Sequence, residues 1–233
     1  MNRAIGLSAI LLLSASLGAL ADVQTPAVSG FTGVRLAVPG KMEVIQGSTE
    51  SLSMEGSPED LAKIEAVVEK GVLYIRQKER SSNWSWNPRF KFTVNAKSID
   101  QLAISGSGDI HSSSIKSGAI KLAISGSGDI RIPALEADSA TVAISGSGNV
   151  TLGGRAGSVD SHISGSGDIK AEKLEARNVK VAISGAGNVR VWAREALAVS
   201  IGGSGDVRYY GDPSVEKRVA GSGSVKRLGA SPG

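Results

Sequence analysis

The stretch "LAISGSGDI", Leu102–Ile110, decides the fold, because the chain says it again and again. It returns as "LAISGSGDI" from Leu122, "VAISGSGNV" from Val142, "SHISGSGDI" from Ser161, "VAISGAGNV" from Val181, "VSIGGSGDV" from Val199 and "KRVAGSGSV" from Lys217. Counted from the first residue of each core (Ser105, Ser125, Ser145, Ser164, Ser184, Gly202, Ala220), the spacings are 20, 20, 19, 20, 18 and 18. A fixed period of this length marks a solenoid, in which each unit buries its apolar face only by stacking on its neighbours.

Residue types choose the kind of solenoid. Ahead of the Gly-rich cores lie alternating segments such as Ile120, Leu122, Ile124 and Val179, Val181, Ile183, and a period of two is a strand. Behind the cores stand Ile110, Ile130, Val150, Ile169, Val189, Val207 and Val225. Stacked coil on coil, these aliphatics fill a narrow interior without aromatics, which number 9 in 233 residues. The paired glycines mark a corner that needs either positive φ or close backbone stacking. The expectation is an all-β chain: a parallel, right-handed β-helix of about seven coils with roughly 20 residues per coil over residues 101–228, and a flexible tail at 229–233. Short strands also describe an antiparallel sandwich. A sandwich, however, does not require one corner at the same phase in every repeat.

Residues 22–100 lack the repeat but read as strands: "FTGVRLAV", "KMEVIQG", "SLSMEG", "IEAVVEKGVLYIRQ" with a Lys70-Gly71 turn, and "FKFTVNA". A short helix is expected at residues 57–64, where Ser57 can cap, Pro58 suits the first turn and Asp60 completes a capping-box spacing. The segment is expected to be a β-rich cap over the N-terminal end of the stack, forming one domain with it, since a bare solenoid edge invites aggregation. Residues 1–21 read as a signal peptide: Arg3 in a short polar start, an apolar run, then Ala19-Leu20-Ala21 before Asp22. The chain is therefore expected to be periplasmic, at the cell surface or secreted, with no integral membrane segment once cleaved. It has no cysteine, so disulfides and lipidation at a lipobox are excluded. Cleavage would remove one charge, Arg3, leaving 25 basic and 22 acidic residues, a net +3 that gives no reason to expect nucleic acid.

The order of these parts resembles the "putative autotransporter-adhesin head GIN domain" family, a bacterial family of poorly defined function. The resemblance covers about residues 30–228: an opening like "FTGVRLAVPGKMEVIQG", a middle like "GVLYIRQ", then serial "SGSGD(I/V)" turns. It implies a β-helix-like stack and a role in surface or extracytoplasmic adhesion, and it brings no catalytic residues. The chain stops at Gly233 without a barrel-forming region, so self-transport is not expected of it.

Chemistry is sparse. There is no Ser/His/Asp arrangement, and His111 and His162 fall in different columns of the repeat. Asp109, Asp129, Asn149, Asp168, Asn188, Asp206 and Ser224 recur once per coil, as corner residues do when they bond nearby amides. Glycine-rich calcium solenoids repeat about every nine residues, and calcium wants roughly six to eight oxygens. One diluted carboxylate per coil does not supply them, so no metal and no cofactor are expected. Two positions after each corner residue stand His111, Arg131, Thr151, Lys170, Arg190, Arg208 and Lys226, a mostly basic column on one strand face. In-coil compensation would pair Asp129 with Arg131, Asp168 with Lys170 and Asp206 with Arg208, whereas Arg190 and Lys226 have no acidic neighbour in their coils. A further column, Ala103, Ala123, Ala143, His162, Ala182, Ser200 and Arg218, makes one wall flat enough for self-association or for tight strand geometry alone. Trp84 and Trp86 either stack on a sugar or cover the cap. The functional expectation is a non-enzymatic, adhesin-like envelope module whose candidate ligand is an anionic polysaccharide or another envelope component, held by Arg131, Lys170, Arg190, Arg208 and Lys226. The alternative is a polysaccharide-processing enzyme, which would gather three or more carboxylates on one wall.

Overall fold

A computed structural model describes residues 22–78 and 90–233. Residues 1–21, read from sequence as a signal peptide, and Trp84 and Trp86 lie outside the described residues. Strands β1 (Asp22–Gln24), β2 (Gly33–Leu36), β3 (Lys41–Gln46) and β4 (Ser51–Gly56) precede helix α1 (Pro58–Leu61), which is followed by β5 (Ile64–Glu69), β6 (Val72–Gln77) and β7 (Lys91–Ala96). The first repeat forms β8 (Gln101–Ile104) and β9 (Asp109–His111). The others form β10 (Ile115–Ile124), β11 (Ile130–Ile144), β12 (Val150–Ile163), β13 (Ile169–Ile183), β14 (Val189–Ile201), β15 (Val207–Tyr210), β16 (Ser214–Val219) and β17 (Val225–Gly229). The chain is a β-solenoid of about six turns, close to the seven coils the repeat predicts.

Successive repeats pair in parallel with the period read from sequence. Ile104, Ile124, Ile144, Ile163, Ile183 and Ile201 are consecutive Cα partners, and each is at most 2% exposed. A second inward column runs Leu102, Leu122, Val142, Ser161, Val181, Val199. Ser161 interrupts it with a buried hydroxyl that has no hydrogen-bond partner. Stacking of β-branched and Leu side chains at strand spacing of about 4.8 Å fills the interior without large rings.

The corner is built by backbone rather than by side chains. A Cβ on Gly146 would stand 2.0 Å from the Gly126 carbonyl oxygen, and one on Gly148 would stand 2.0 Å from that of Gly128. The same conflict recurs from coil to coil, whereas none of these corner glycines has positive φ. Of the two reasons available for a glycine there, close approach is the operative one. The approach is held by amides such as Ser147 N–H, which donates to the Gly126 carbonyl at 2.9 Å.

Residues 22–100 join the stack out of chain order. β2 and β3 pair in parallel with β8 and β9, and their opposite edges pair in parallel with β6 and β7. Antiparallel strands then end the stack, β5 against β6 and β4 against β7, with β1 antiparallel on β4. β5 and β6 are joined by a tight turn in which Lys70 and Gly71 take φ of 51° and 78°. α1 is shorter than expected, one turn, but it starts where the capping pattern places it: Ser57 Oγ accepts the Asp60 N–H at 3.1 Å and donates to its carboxylate at 2.9 Å. No helix among the described residues is long and apolar enough to cross a membrane.

Candidate functional site

The strand leaving each corner carries its second residue outward, and the coil register turns those residues into a line. Glu43, His111, Arg131, Thr151, Lys170, Arg190, Arg208 and Lys226 are successive Cα partners. Lys170, Arg190, Arg208 and Lys226 are thus four consecutive cations at strand spacing, about 4.8 Å apart per step. Repulsion within such a row is relieved by solvent, salt, neighbouring carboxylates or an anionic ligand.

The acids beside the row mostly serve another purpose. Asp109 Oδ1 accepts the Asp129 N–H at 3.0 Å, Asp129 Oδ1 that of Asn149 at 2.8 Å, and Asp168 Oδ1 that of Asn188 at 2.8 Å. Asn149 and Asn188 continue the chain by accepting from Asp168 and Asp206 at 3.2 and 3.3 Å. Each side chain therefore caps the next corner, and interleaved Asn keeps most carboxylates from stacking directly on one another. At the end of the ladder Asp206 accepts from both the hydroxyl and the amide of Ser224, and these bonds, with Arg208 nearby, hold its carboxyl below the usual carboxylate range.

Charge compensation in the row differs from the in-coil pattern. Arg208 lies 3.5 Å from Asp206, as the spacing suggests, but Arg190 lies 3.9 Å from Glu172, one coil back. Asp129 and Asp168 are committed to the ladder. Arg131, Lys170 and Lys226 have no carboxylate within 4.0 Å among the described residues. Sequence reasoning missed Glu172 because it searched each coil separately. Shallow space of about 160 Å³ lies between the row and the ladder, lined by Lys170, Arg190, Arg208, Asp168 and Asp206.

The flat wall has the composition its column predicts. Arg35, Ala103, Ala123, Ala143, His162, Ala182, Ser200 and Arg218 are successive partners. His162 Nε2 lies 3.0 Å from Asp160 Oδ1 in the same strand. A small-residue stripe of this kind explains close strand packing and by itself specifies no ligand.

At a different corner lies a groove of about 630 Å³ that the repeat motif does not announce. Its floor includes Ser117, Ala137 and Ala156, and its rims carry Lys116, Glu136, Arg155, Glu175 and Arg194 on one side and Asp138 and Arg177 on the other. Three carboxylates line this groove, Glu136 and Glu175 on one rim and Asp138 on the other. Two are occupied, Glu136 by Lys116 at 3.0 Å and Glu175 by Arg194. Among the described residues, Asp138 is the carboxylate of this groove without an ion-pair partner. Among the described residues, no group of three or more His, Cys, Asp or Glu is placed to hold a metal ion.

Comparison with known proteins places this geometry in context. The family described as "Putative auto-transporter adhesin, head GIN domain" matches residues 30–213. A "putative adhesin" from Bacteroides fragilis has 22% identity and a TM-score of 0.86, with 91% of this chain and 98% of that chain covered. A "putative lipid binding protein" from Parabacteroides distasonis has 23% identity and a TM-score of 0.74, covering 89% and 96%. A "putative adhesin" from Parabacteroides merdae has 20% identity and a TM-score of 0.71, also covering 89% and 96%. At these identities the likeness is one of fold. No curated protein matches the sequence.

Proposed function

The chain belongs to the "putative auto-transporter adhesin, head GIN domain" family, and on that premise we propose that it is an exported, non-enzymatic, adhesin-like module that binds anionic envelope glycans along its basic column. The observation that carries the reading is the register that lines up Lys170, Arg190, Arg208 and Lys226. A rigid row of cations suits an extended polyanion, because the β-solenoid fixes their spacing before the ligand arrives and little ordering cost is left to pay on binding. Lys170 and Lys226 matter most, since no carboxylate among the described residues lies within ion-pair reach of them. Arg131 matters less, being set apart from the row by Thr151.

The test uses the chain recovered from its native host, whose intact mass should start at or near Asp22 if residues 1–21 are removed on export. Binding of that protein to a surface-immobilised acidic polysaccharide is measured over a salt series. Lys170→Ala with Lys226→Ala should weaken binding several-fold at low salt and flatten its salt dependence, while Arg131→Ala should change it little. Equal binding by wild type and the double variant overturns the assignment to this column. Retention of residues 1–21 overturns the export.

A further inference from the structure

The groove beyond the basic column holds a local charge imbalance of its own. Along one rim, Lys116, Glu136, Arg155 and Glu175 are consecutive Cα partners, and Arg194 lies beyond Glu175 where the register shifts. Both glutamates that flank Arg155 face away to other cations, Glu136 to Lys116 and Glu175 to Arg194. Arg155 is exposed and has no carboxylate within ion-pair reach among the described residues. Across the floor, Arg177 opposes Gly157, and the place a Gly157 Cβ would take is 3.3 Å from Arg177 Nη2 and 2.5 Å from the Asp138 carbonyl oxygen. The carbonyl contact is what requires glycine there, and it leaves the Arg177 guanidinium close over the Gly157 backbone. Among the described residues, Arg177 is likewise without an ion-pair partner. Among the described residues, two guanidiniums without ion-pair partners thus flank a floor of small side chains, Ser117, Ala137 and Ala156.

The surroundings narrow the ligand. Among the described residues, no aromatic or large aliphatic side chain lines the groove, so an apolar anchor has nowhere to sit. An extended peptide has no strand to join, because β11, β12 and β13 are each paired on both edges. What remains is a hydroxyl-rich linear chain lying along the axis, with an anionic group between Arg155 and Arg177, which line the same groove, and hydroxyls against the flanking carboxylates. We propose that this groove is a second binding site, taking a carboxylate-bearing linear glycan whose uronate carboxylate is gripped by Arg155 and Arg177. The planar guanidinium fork matches a carboxylate in two-point contact, which a lysine would not reproduce. The site uses none of the residues of the basic column.

Solution titration with tetragalacturonate tests it, with its carboxyl-reduced counterpart and tetraglutamate as comparison ligands. The combined Arg155→Ala and Arg177→Ala variant should bind the uronate oligomer at least about tenfold more weakly, the loss expected for a charge-assisted contact. Arg155→Lys with Arg177→Lys should fall between, and the reduced oligomer should not bind wild type. A melting curve identical to wild type checks that the surface variants are folded. Lys170→Ala with Lys226→Ala should retain affinity for the short oligomer, so the groove stands or falls apart from the column. Unchanged binding by the double alanine variant, absence of binding by wild type, or preference for tetraglutamate would each overturn the proposal.

Discussion

At the corner, glycine is needed at one residue and dispensable at the equivalent residue of the first repeat. Gly146 sits under the Gly126 carbonyl, and a methyl group there would meet it at 2.0 Å, far inside contact distance and against backbone that cannot swing aside. Gly146→Ala should therefore pry two coils apart and destabilise by roughly 3 kcal/mol or more, the range of severe overpacking. Gly106 occupies the same motif position, but a Cβ there meets nothing within 4 Å, and its φ is not positive. Gly106→Ala should be neutral or stabilise by up to about 1 kcal/mol, because alanine has less backbone freedom to lose on folding. Chemical denaturation of the two variants side by side checks this. Equal losses would mean that the corners demand glycine for a reason other than contact between coils. The Asp and Asn ladder complements this packing, since each side chain satisfies an amide at the next corner that the tight turn would otherwise leave without a partner.

Within a strand, alternation sets what a substitution costs. Ile144 is 1% exposed between Ile124 and Ile163, while Ala143 points outward between Ala123 and His162. Ile144→Asp would bury a charge with no partner and should cost more than about 4 kcal/mol, whereas Ala143→Asp should stay within about 1 kcal/mol. Thermal melts that ranked them the other way would invert the face assignment. This inside-outside order was legible in the sequence because every coil restates it, and restatement fixes register: Ile130, Val150, Ile169, Val189 and Val207 meet at the period of the corner motif. The layering of β2 and β3 between β6 and β7 and the first repeat was not legible. Val34 and Leu36 carry the same alternation as Leu102 and Ile104, but nothing local tells a strand which distant partner it takes. The basic row followed from the period alone. The groove did not, because the strands slip there: Glu175 has Trp192 as its Cα partner across a bulge while its carboxylate binds Arg194, so counting coils misaligns the charges that meet.

The two ends of the whole molecule are unlike, and a one-dimensional stack should feel that difference. Stability in a solenoid is close to a sum over neighbouring layers, so a layer with one neighbour opens more readily than a layer with two. The first repeat, β8 and β9, is braced on its outer side by β2 and β3, and beyond those the stack is ended by antiparallel β4 and β5. The last layer has no such cover among the described residues: β16 pairs only with β14, and β17 only with β15. Val215 and Val219 are 38% and 42% exposed, while their partners one coil back, Leu197 and Ile201, are 1% exposed. Between them Lys217 takes the column position held by Val199 in the layer below, an inward charge of the kind that discourages another strand from adding to an open edge. Native-state hydrogen exchange should therefore find the weakest amide protection in residues 214–229 and the strongest in the layers from β10 to β14. It should find β8 protected nearly as well as those layers, although β8 opens the repeat. If β8 exchanged as fast as β16, the layers from residues 22–100 would not be bracing the stack, and the asymmetry between the ends would have no energetic consequence.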